Sequence, residues 1–261
     1  MQAKDWSADQ YLKYEAERTR PSWDLLSQVP LKSPKRIIDL GCGPGNSTSV
    51  LLQRFPEAKI TGTDSSPDMI EKAKKRLPEL EFTLGDLTSF KDTDSADLLF
   101  ANAVYQWVPY EKRIQVFTNL IKSQPSRGVF AFQVPDNFSE PSHVAMRSVA
   151  NEGLWAEKLK RLHPTRKPFQ SPQELYNQLK PLCSDLNIWH TYYYHILDDH
   201  EAIVEWVKGT GLKPFVDPLS PSEREGFLAA YLEQIKRLYP ALNDGKVCLR
   251  YPRLFLVATK A

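Results

Sequence analysis

Cysteine is scarce in this chain: three residues, Cys42, Cys183 and Cys248, lie far apart, and none belongs to a Cys-x-x-Cys or Cys/His cluster. An odd, scattered set supports neither a disulfide framework nor a structural zinc site. No apolar run approaches the roughly 18 residues that a membrane span needs, and the opening residues Met1-Gln2-Ala3-Lys4-Asp5-Trp6 lead into polar sequence rather than a signal peptide. These features point to a cytoplasmic protein. Charge of one sign is also missing: 34 Lys and Arg against 32 Asp and Glu leave a formal charge of +2. That balance argues against a nucleic-acid or membrane-surface protein, and no basic stripe is present, though a local basic pocket for a small anion remains compatible with it. Internal repeats and low-complexity segments are absent. With 261 residues at 41% hydrophobic and 25% charged, the chain suits one elaborated domain, or one domain plus a cap.

What is present is organised around Ile37-Ile38-Asp39-Leu40-Gly41-Cys42-Gly43-Pro44-Gly45. A short buried strand at 36–40 runs into a glycine-rich turn, and a helix starts near Asn46-Ser47-Thr48. Glycines at 41, 43 and 45 allow a sharp turn and a close approach of backbone to ligand. Asp39 falls at the carboxyl end of the strand, where open α/β sheets bind their ligands. The spacing departs from the dinucleotide pattern Gly-x-Gly-x-x-Gly. An acid two residues before the first glycine repels a pyrophosphate and can hold a cationic amine. Asp64, 25 positions on, ends the next strand and can accept both hydroxyls of a ribose. Together these suit S-adenosylmethionine better than NAD. Cys42, inside the loop, reads as a small residue in a crowded turn rather than a nucleophile.

Strands are expected at 36–40, 59–64, 80–84, 96–101 and 128–134, alternating with helices. That rhythm predicts an α/β fold, a parallel sheet with helices on both faces. Pro67 fits a helix first turn capped by Ser65 or Ser66. Asp86, after Gly85, is a third acid at a strand end, able to meet an adenine amino group or simply to serve a turn. Asn102 to Trp107 brings two aromatics and two amides to the same edge. Residues 5–29 read as helical, with Arg18 and Arg20 near a break at Pro21 and in place for a lid. Residues 141–181 read as helical pieces broken by prolines. A strand with three tyrosines, Tyr192 to Tyr194, follows at 186–197. Helices come next at 199–208 and 221–238, and a last strand at 247–259 is expected to kink or bulge at Pro252.

The segment Asp39-Leu40-Gly41-Cys42-Gly43-Pro44-Gly45-Asn46-Ser47-Thr48 resembles the first motif of class I S-adenosylmethionine-dependent methyltransferases. Further segments resemble, within that class, the trans-aconitate methyltransferase family. They are Ala16-Glu17-Arg18-Thr19-Arg20-Pro21, Thr63-Asp64-Ser65-Ser66-Pro67, Phe100-Ala101-Asn102-Ala103 with Gln106-Trp107, Pro135-Asp136-Asn137-Phe138, Ile188 to His195, Trp206 to Leu212, and Pro252-Arg253-Leu254-Phe255. The glycine motif carries the superfamily; the second-half segments carry the narrower likeness. The stretch from His163 to Lys167 carries little weight.

The resemblance implies a Rossmann-like seven-stranded sheet with its last strand antiparallel and helical cap insertions. One domain spans 1–261, with an N-terminal lid at 1–30, a cofactor-binding half at 31–138, caps at 139–185 and 198–246, and a strand at 247–261 returning to the sheet. It implies S-adenosyl-L-methionine as cofactor, held by Asp39, Gly41, Gly43, Gly45, Asp64, Ser65, Asp86, Leu87 and Asn102. The implied reaction is methylation of a carboxylate of trans-aconitate, with no metal and no general base. Arginines should grip the remaining carboxylates, because a guanidinium pairs with them bidentately. The substrate candidates are Arg18, Arg20, Trp107, Arg147, Tyr192, Tyr194 and Arg253. Two alternatives stay open: a methyltransferase of this fold for another acid or a carrier-bound acyl group, and a non-catalytic module that binds the cofactor.

Overall fold

The computed structural model describes residues 15–92, 95–162 and 167–261. The expected helical residues 5–14, and His163 and Arg166, lie outside them. Seven strands form one sheet in the order β3-β2-β1-β4-β5-β7-β6: β1 Arg36–Leu40, β2 Lys59–Asp64, β3 Glu81–Leu84, β4 Leu98–Asn102, β5 Val129–Pro135, β6 Cys183–Leu197 and β7 Val247–Lys260. β1 to β5 pair in parallel, with Ile38 opposite Thr61 on one side and Leu99 on the other. β7 runs the other way. Lys260 donates to Gly128 and accepts from Arg127 at the start of β5, while Asp136, just after β5, donates to Pro252. Those pairs fix an antiparallel register.

The chain divides into two compact units. The first comprises 1–135, 169–191 and 254–261. Its core gathers the apolar faces of β1, β4 and β5, helix α4 (Tyr110–Ser123) and helix α7 (Pro172–Leu179). β4, Leu-Leu-Phe-Ala-Asn, is buried along its whole length, as a strand covered on both faces must be. Tyr105, Phe117, Phe130, Phe132 and Phe169 pack ring on ring, with Tyr105 edge-on to Phe117 at 4.9 Å. The strand order reverses between β1 and β4, which makes their carboxyl ends the crevice where such sheets bind ligands. Helix α1 (Glu15–Leu26), α2 (Asn46–Arg54) and α3 (Pro67–Arg76) complete the first half. Ser66 caps α3, its side chain accepting from the Met69 amide, and Pro67 occupies the first turn.

Several expectations need correction. α1 continues through Pro21 as one helix, so Arg18 and Arg20 do not flank a break. Among the described residues, 85–92 and 95–97 hold only turns and bends, so no helix separates β3 from β4 there. β7 also runs unbroken through Pro252. A proline removes one donor from a ladder but keeps its carbonyl, and here that carbonyl takes the Asp136 amide.

The second unit comprises 136–168 and 192–253. The expected cap at 139–185 is therefore divided, with 169–185 grouped in the first unit. Helices α5 (Pro141–Ala150), α6 (Ala156–Leu162), α8 (His200–Lys208), α9 (Lys213–Val216) and α10 (Pro221–Leu238) build it. α10 packs on α5 and α8. Tyr231 donates to the Ser142 carbonyl and Tyr239 accepts the Ser142 amide. Trp206 and Phe227 are core residues.

Candidate active site

The glycine loop is held by backbone first. The amides of Gly41 and Cys42 both donate to the Thr63 carbonyl, at 2.7 and 3.0 Å, and Gly45 donates to Cys42. Gly41, Gly43 and Gly45 take φ values of 72°, 54° and 89°. That left-handed region suits residues without a side chain. Gly41 has a second constraint, since a Cβ there would lie 2.4 Å from Val104 Cγ2. The loop after β4 thus rests on the loop after β1. A Cβ at Gly43 would instead meet nothing within 4 Å, leaving open space where a ligand can come close to backbone. Gly45 starts α2 with no side-chain cap, and the first amides of a helix favour negative groups.

Asp39 is fully buried at the end of β1. Its Oδ2 accepts from Ser47 Oγ and Thr48 Oγ1, both at 2.7 Å. Its Oδ1 is buried with no hydrogen-bond partner. Burial pushes the carboxyl up to about 6, against the two hydroxyl bonds that lower it, and nearby Asp64 adds to the rise. A buried carboxylate with one oxygen uncommitted is strongly drawn to a cation that can donate hydrogen bonds. Asp64, ending β2, accepts the Gly43 amide on Oδ2 and the Ser66 amide on Oδ1, each at 2.9 Å. Both bonds fix the carboxylate plane. Burial pushes the Cys42 thiol up, out of the nucleophilic range.

The remaining cofactor candidates separate. Asn102 is buried at the end of β4, its Oδ1 accepting from Gln133 Nε2, and Ala103 follows in the left-handed region at φ 57°. Asp86 is exposed and forms a side-chain turn, accepting from the Thr88 amide and hydroxyl, both at 2.8 Å. Those bonds lower its pKa. Leu87 is buried in the core cluster and Ser65 is exposed.

The substrate candidates are spread over both units. In the first, Arg18 is buried on α1 while Arg20 is exposed beside Asp24, at 3.9 Å. Thr19, between them, accepts from the Asn46 side chain at the start of α2, which sets this helix beside the glycine loop. Trp107 ends a short 3₁₀ turn, Tyr105–Trp107, and is 40% exposed. In the second unit, Arg147 lies 3.9 Å over the Phe138 ring, and burial lowers its pKa. Arg253 is buried, its guanidinium 5.2 Å from the Tyr251 ring and 5.9 Å from Tyr193.

β6 alternates strictly here: Tyr193 and His195 are buried, while Tyr192 and Tyr194 are exposed. Tyr192 stacks with Arg250 instead. The neighbours of Arg253 are therefore the opposite residues from Tyr192 and Tyr194, and the side-chain period of two is the reason. Sequence reading also passed over Val104, Gln133 and Arg113. In sequence Ser47 and Thr48 mark only a helix start, whereas their hydroxyls hold Asp39.

Residues 37–125 match a family model described as a methyltransferase domain. The chain is 50% identical over 256 residues to a trans-aconitate 2-methyltransferase of Rhodopseudomonas palustris strain BisB18, covering 98% of this chain and 99% of that one. It is 48% identical to the enzyme of that name from Rhizobium etli and 49% to that from Agrobacterium fabrum, with the same coverage. Among solved structures, the YcgJ protein of Bacillus subtilis superposes at a TM-score of 0.58, with 15% identity, covering 92% of this chain and 98% of that one. A phosphoethanolamine N-methyltransferase 2 of Haemonchus contortus, solved with S-adenosyl-L-methionine, reaches 0.52 at 12% identity, covering 93% and 53%. These distant likenesses establish the class I methyltransferase fold. The uncommitted Asp39 oxygen and the open approach at Gly43 fit S-adenosylmethionine, the cofactor of such enzymes. With half its residues shared over nearly its full length, the chain belongs to the trans-aconitate 2-methyltransferase family.

Proposed function

We propose that this protein methylates a carboxylate of trans-aconitate at the 2-position, giving the monomethyl ester. The observation that carries the reading is Asp39, a buried carboxylate with one oxygen uncommitted beside an open glycine loop, in a chain about half identical to curated trans-aconitate 2-methyltransferases. When bound, S-adenosylmethionine supplies a methyl group on a sulfonium. Asp39 would hold its ammonium and Asp64 its ribose hydroxyls. Asn102, Asp86, the Leu87 backbone and Ser65 would complete the seat.

The acceptor is already ionised at neutral pH, since a carboxylic acid titrates near 4. The chain therefore needs no general base, and its contribution is alignment and exclusion of water. Alignment of this kind can be worth roughly 7–11 kcal/mol. Charge is neutralised as the bond forms, so a dry site favours the reaction. The two carboxylates not being methylated need cationic partners. We assign them to arginines of the set Arg18, Arg20, Arg147 and Arg253, with Trp107 as a wall. In this reading the helices of 139–185 and 198–246 act as a cap and 1–30 as a lid. Three isolated cysteines, all free thiols, fit a reducing compartment, and we place the activity in the cytoplasm.

The test is methyl transfer from labelled cofactor to trans-aconitate, cis-aconitate, citrate, isocitrate and a free fatty acid. Strong transfer to trans-aconitate with an alkali-labile product supports the assignment. Cofactor binding with no transfer to any of these acids overturns it, and redirects attention to carrier-bound acids or a sensing role.

A further inference from the structure

Arg113 is among the largest fully buried side chains of the first unit, at 2% exposure. Burying a guanidinium is costly unless its donors are met. Two of them go to one short turn. Nε donates to the Val108 carbonyl at 2.9 Å and Nη2 to the Gln106 carbonyl at 3.2 Å. These are the residues on either side of Trp107. Nη1 reaches Gln170 Oε1 at 3.4 Å, and Gln170 in turn donates to the Tyr110 carbonyl at 2.8 Å. The Phe169 ring lies 4.6 Å from the guanidinium carbon.

The same turn is fixed by two further residues. Tyr105 is wholly buried among Phe117, Phe130 and Phe132. Val104 fills the space a side chain at Gly41 would need. Between those anchors the backbone turns tightly, with the Trp107 amide on Val104 and the Val108 amide on Tyr105. Trp107 is presented outward, at 40% exposure, at the carboxyl edge of β4. An apolar residue at 113 could fill the same volume. It could not meet either carbonyl, and a lysine, with its donors on one nitrogen, lacks the planar fork that spans the two.

We propose that Arg113 is a positioning residue for the acceptor: it sets the backbone of the 104–109 turn, and through it the Trp107 ring against which the substrate lies. The role rests on the methyltransferase reading above. Arg113 acts through Trp107 and touches neither substrate nor cofactor.

The experiment compares wild type with Arg113→Lys, Gln170→Leu and Trp107→Ala, using two independent readouts. In hydrogen–deuterium exchange, Arg113→Lys should speed exchange of amides 104–108 by about tenfold while β1 and β2 stay as in wild type. In steady-state kinetics, Arg113→Lys and Trp107→Ala should each raise the KM for trans-aconitate by about tenfold, leave the KM for S-adenosylmethionine within about twofold, and combine less than additively. Gln170→Leu should give a smaller change of the same kind. Unchanged exchange in a folded Arg113→Lys overturns the proposal, as does faster exchange with an unchanged acceptor KM. If Arg113→Lys does not fold, the same criteria apply to Gln170→Leu. Wild type that turns over no tricarboxylate defeats the functional reading alone. The exchange arm still decides whether Arg113 sets the turn.

Discussion

The Asp64 carboxylate takes the Gly43 amide at 2.9 Å, so the end of β2 holds the glycine loop that follows β1. The second oxygen takes the Ser66 amide and sets the start of α3. One side chain therefore joins loop, strand and helix at the proposed ribose position. Asp64→Asn keeps the shape but replaces one acceptor by a donor that faces an N–H. Hydrogen bonds to a charged group are worth about 1.5–3 kcal/mol each. Losing about 2 kcal/mol corresponds to about a thirtyfold weaker affinity for the cofactor. Calorimetric titration with S-adenosylhomocysteine checks this. An affinity within a factor of two of wild type would remove Asp64 from the site.

Two glycines in one loop should respond differently to alanine. Both Gly41 and Gly43 have positive φ, which costs a non-glycine residue about 1–2 kcal/mol. At Gly41 the added methyl also collides with Val104, and overpacking adds about 1–3 kcal/mol. Gly41→Ala should therefore unfold at clearly lower denaturant than wild type. Gly43→Ala meets nothing in the protein. It should retain most of the stability yet bind cofactor poorly, because the methyl occupies the approach to the backbone. Urea melts and cofactor titrations on the two variants make the comparison. Equal losses of stability would mean that Val104 moves aside at no cost.

Asp39 gives a pH dependence with a definite sign. Its carboxyl titrates at about 6 in the fold against 3.8 unexposed to such burial. The native state thus keeps the proton longer than the unfolded chain. Its contribution to stability is intact below about pH 4 and is lost as pH rises through 6, a change on the order of 3 kcal/mol. Asp39→Asn should flatten that part of the stability curve. Cofactor binding should follow the opposite course, weakening below pH 6 in wild type as the carboxylate that holds an ammonium is neutralised. Thermal melts from pH 4 to 7, with and without S-adenosylhomocysteine, test both. Parallel curves for wild type and Asp39→Asn would refute the assignment.

The sheet and the glycine loop were legible because both have strong local causes. β4 is a continuous apolar run, and Gly41, Gly43 and Gly45 stand where the backbone must take positive φ. Ser66-Pro67 announced the start of α3 through cap chemistry alone. The misses have causes too. Pro21 reads as a break, yet packing on α2 and β5 keeps α1 whole around it. Arg113 carries no motif, because its value lies in two carbonyls brought near by the turn. The tyrosine strand shows the limit best. Composition identified the strand, but which of Tyr192, Tyr193 and Tyr194 faces inward depends on register, and register is set by the neighbouring strand.

That register separates two arginines of β7 that look alike in sequence. Arg250 is half exposed. It forms a bidentate pair with the buried Glu140, at 3.1 and 2.7 Å, and lies over the Tyr192 ring. Both Glu140 oxygens are taken, and the pair ties β7 to the start of α5. Arg253 is buried among Tyr193 and Tyr251 and belongs to the proposed substrate clamp. Arg250→Lys should cost stability through Glu140, which loses its forked partner, while the KM for trans-aconitate stays near wild type. Arg253→Lys should do the reverse. The lysine keeps the charge in the aromatic nest but cannot pair bidentately with a carboxylate. Its acceptor KM should rise about tenfold or more, with the cofactor KM little changed. Arg18→Ala, in the first unit, should show the same split between acceptor and cofactor. Melting temperatures and both Michaelis constants for the three variants decide the matter. An acceptor KM that moves with Arg250 and not with Arg253 would place the clamp on the exposed face of β6, where Tyr192 and Tyr194 lie.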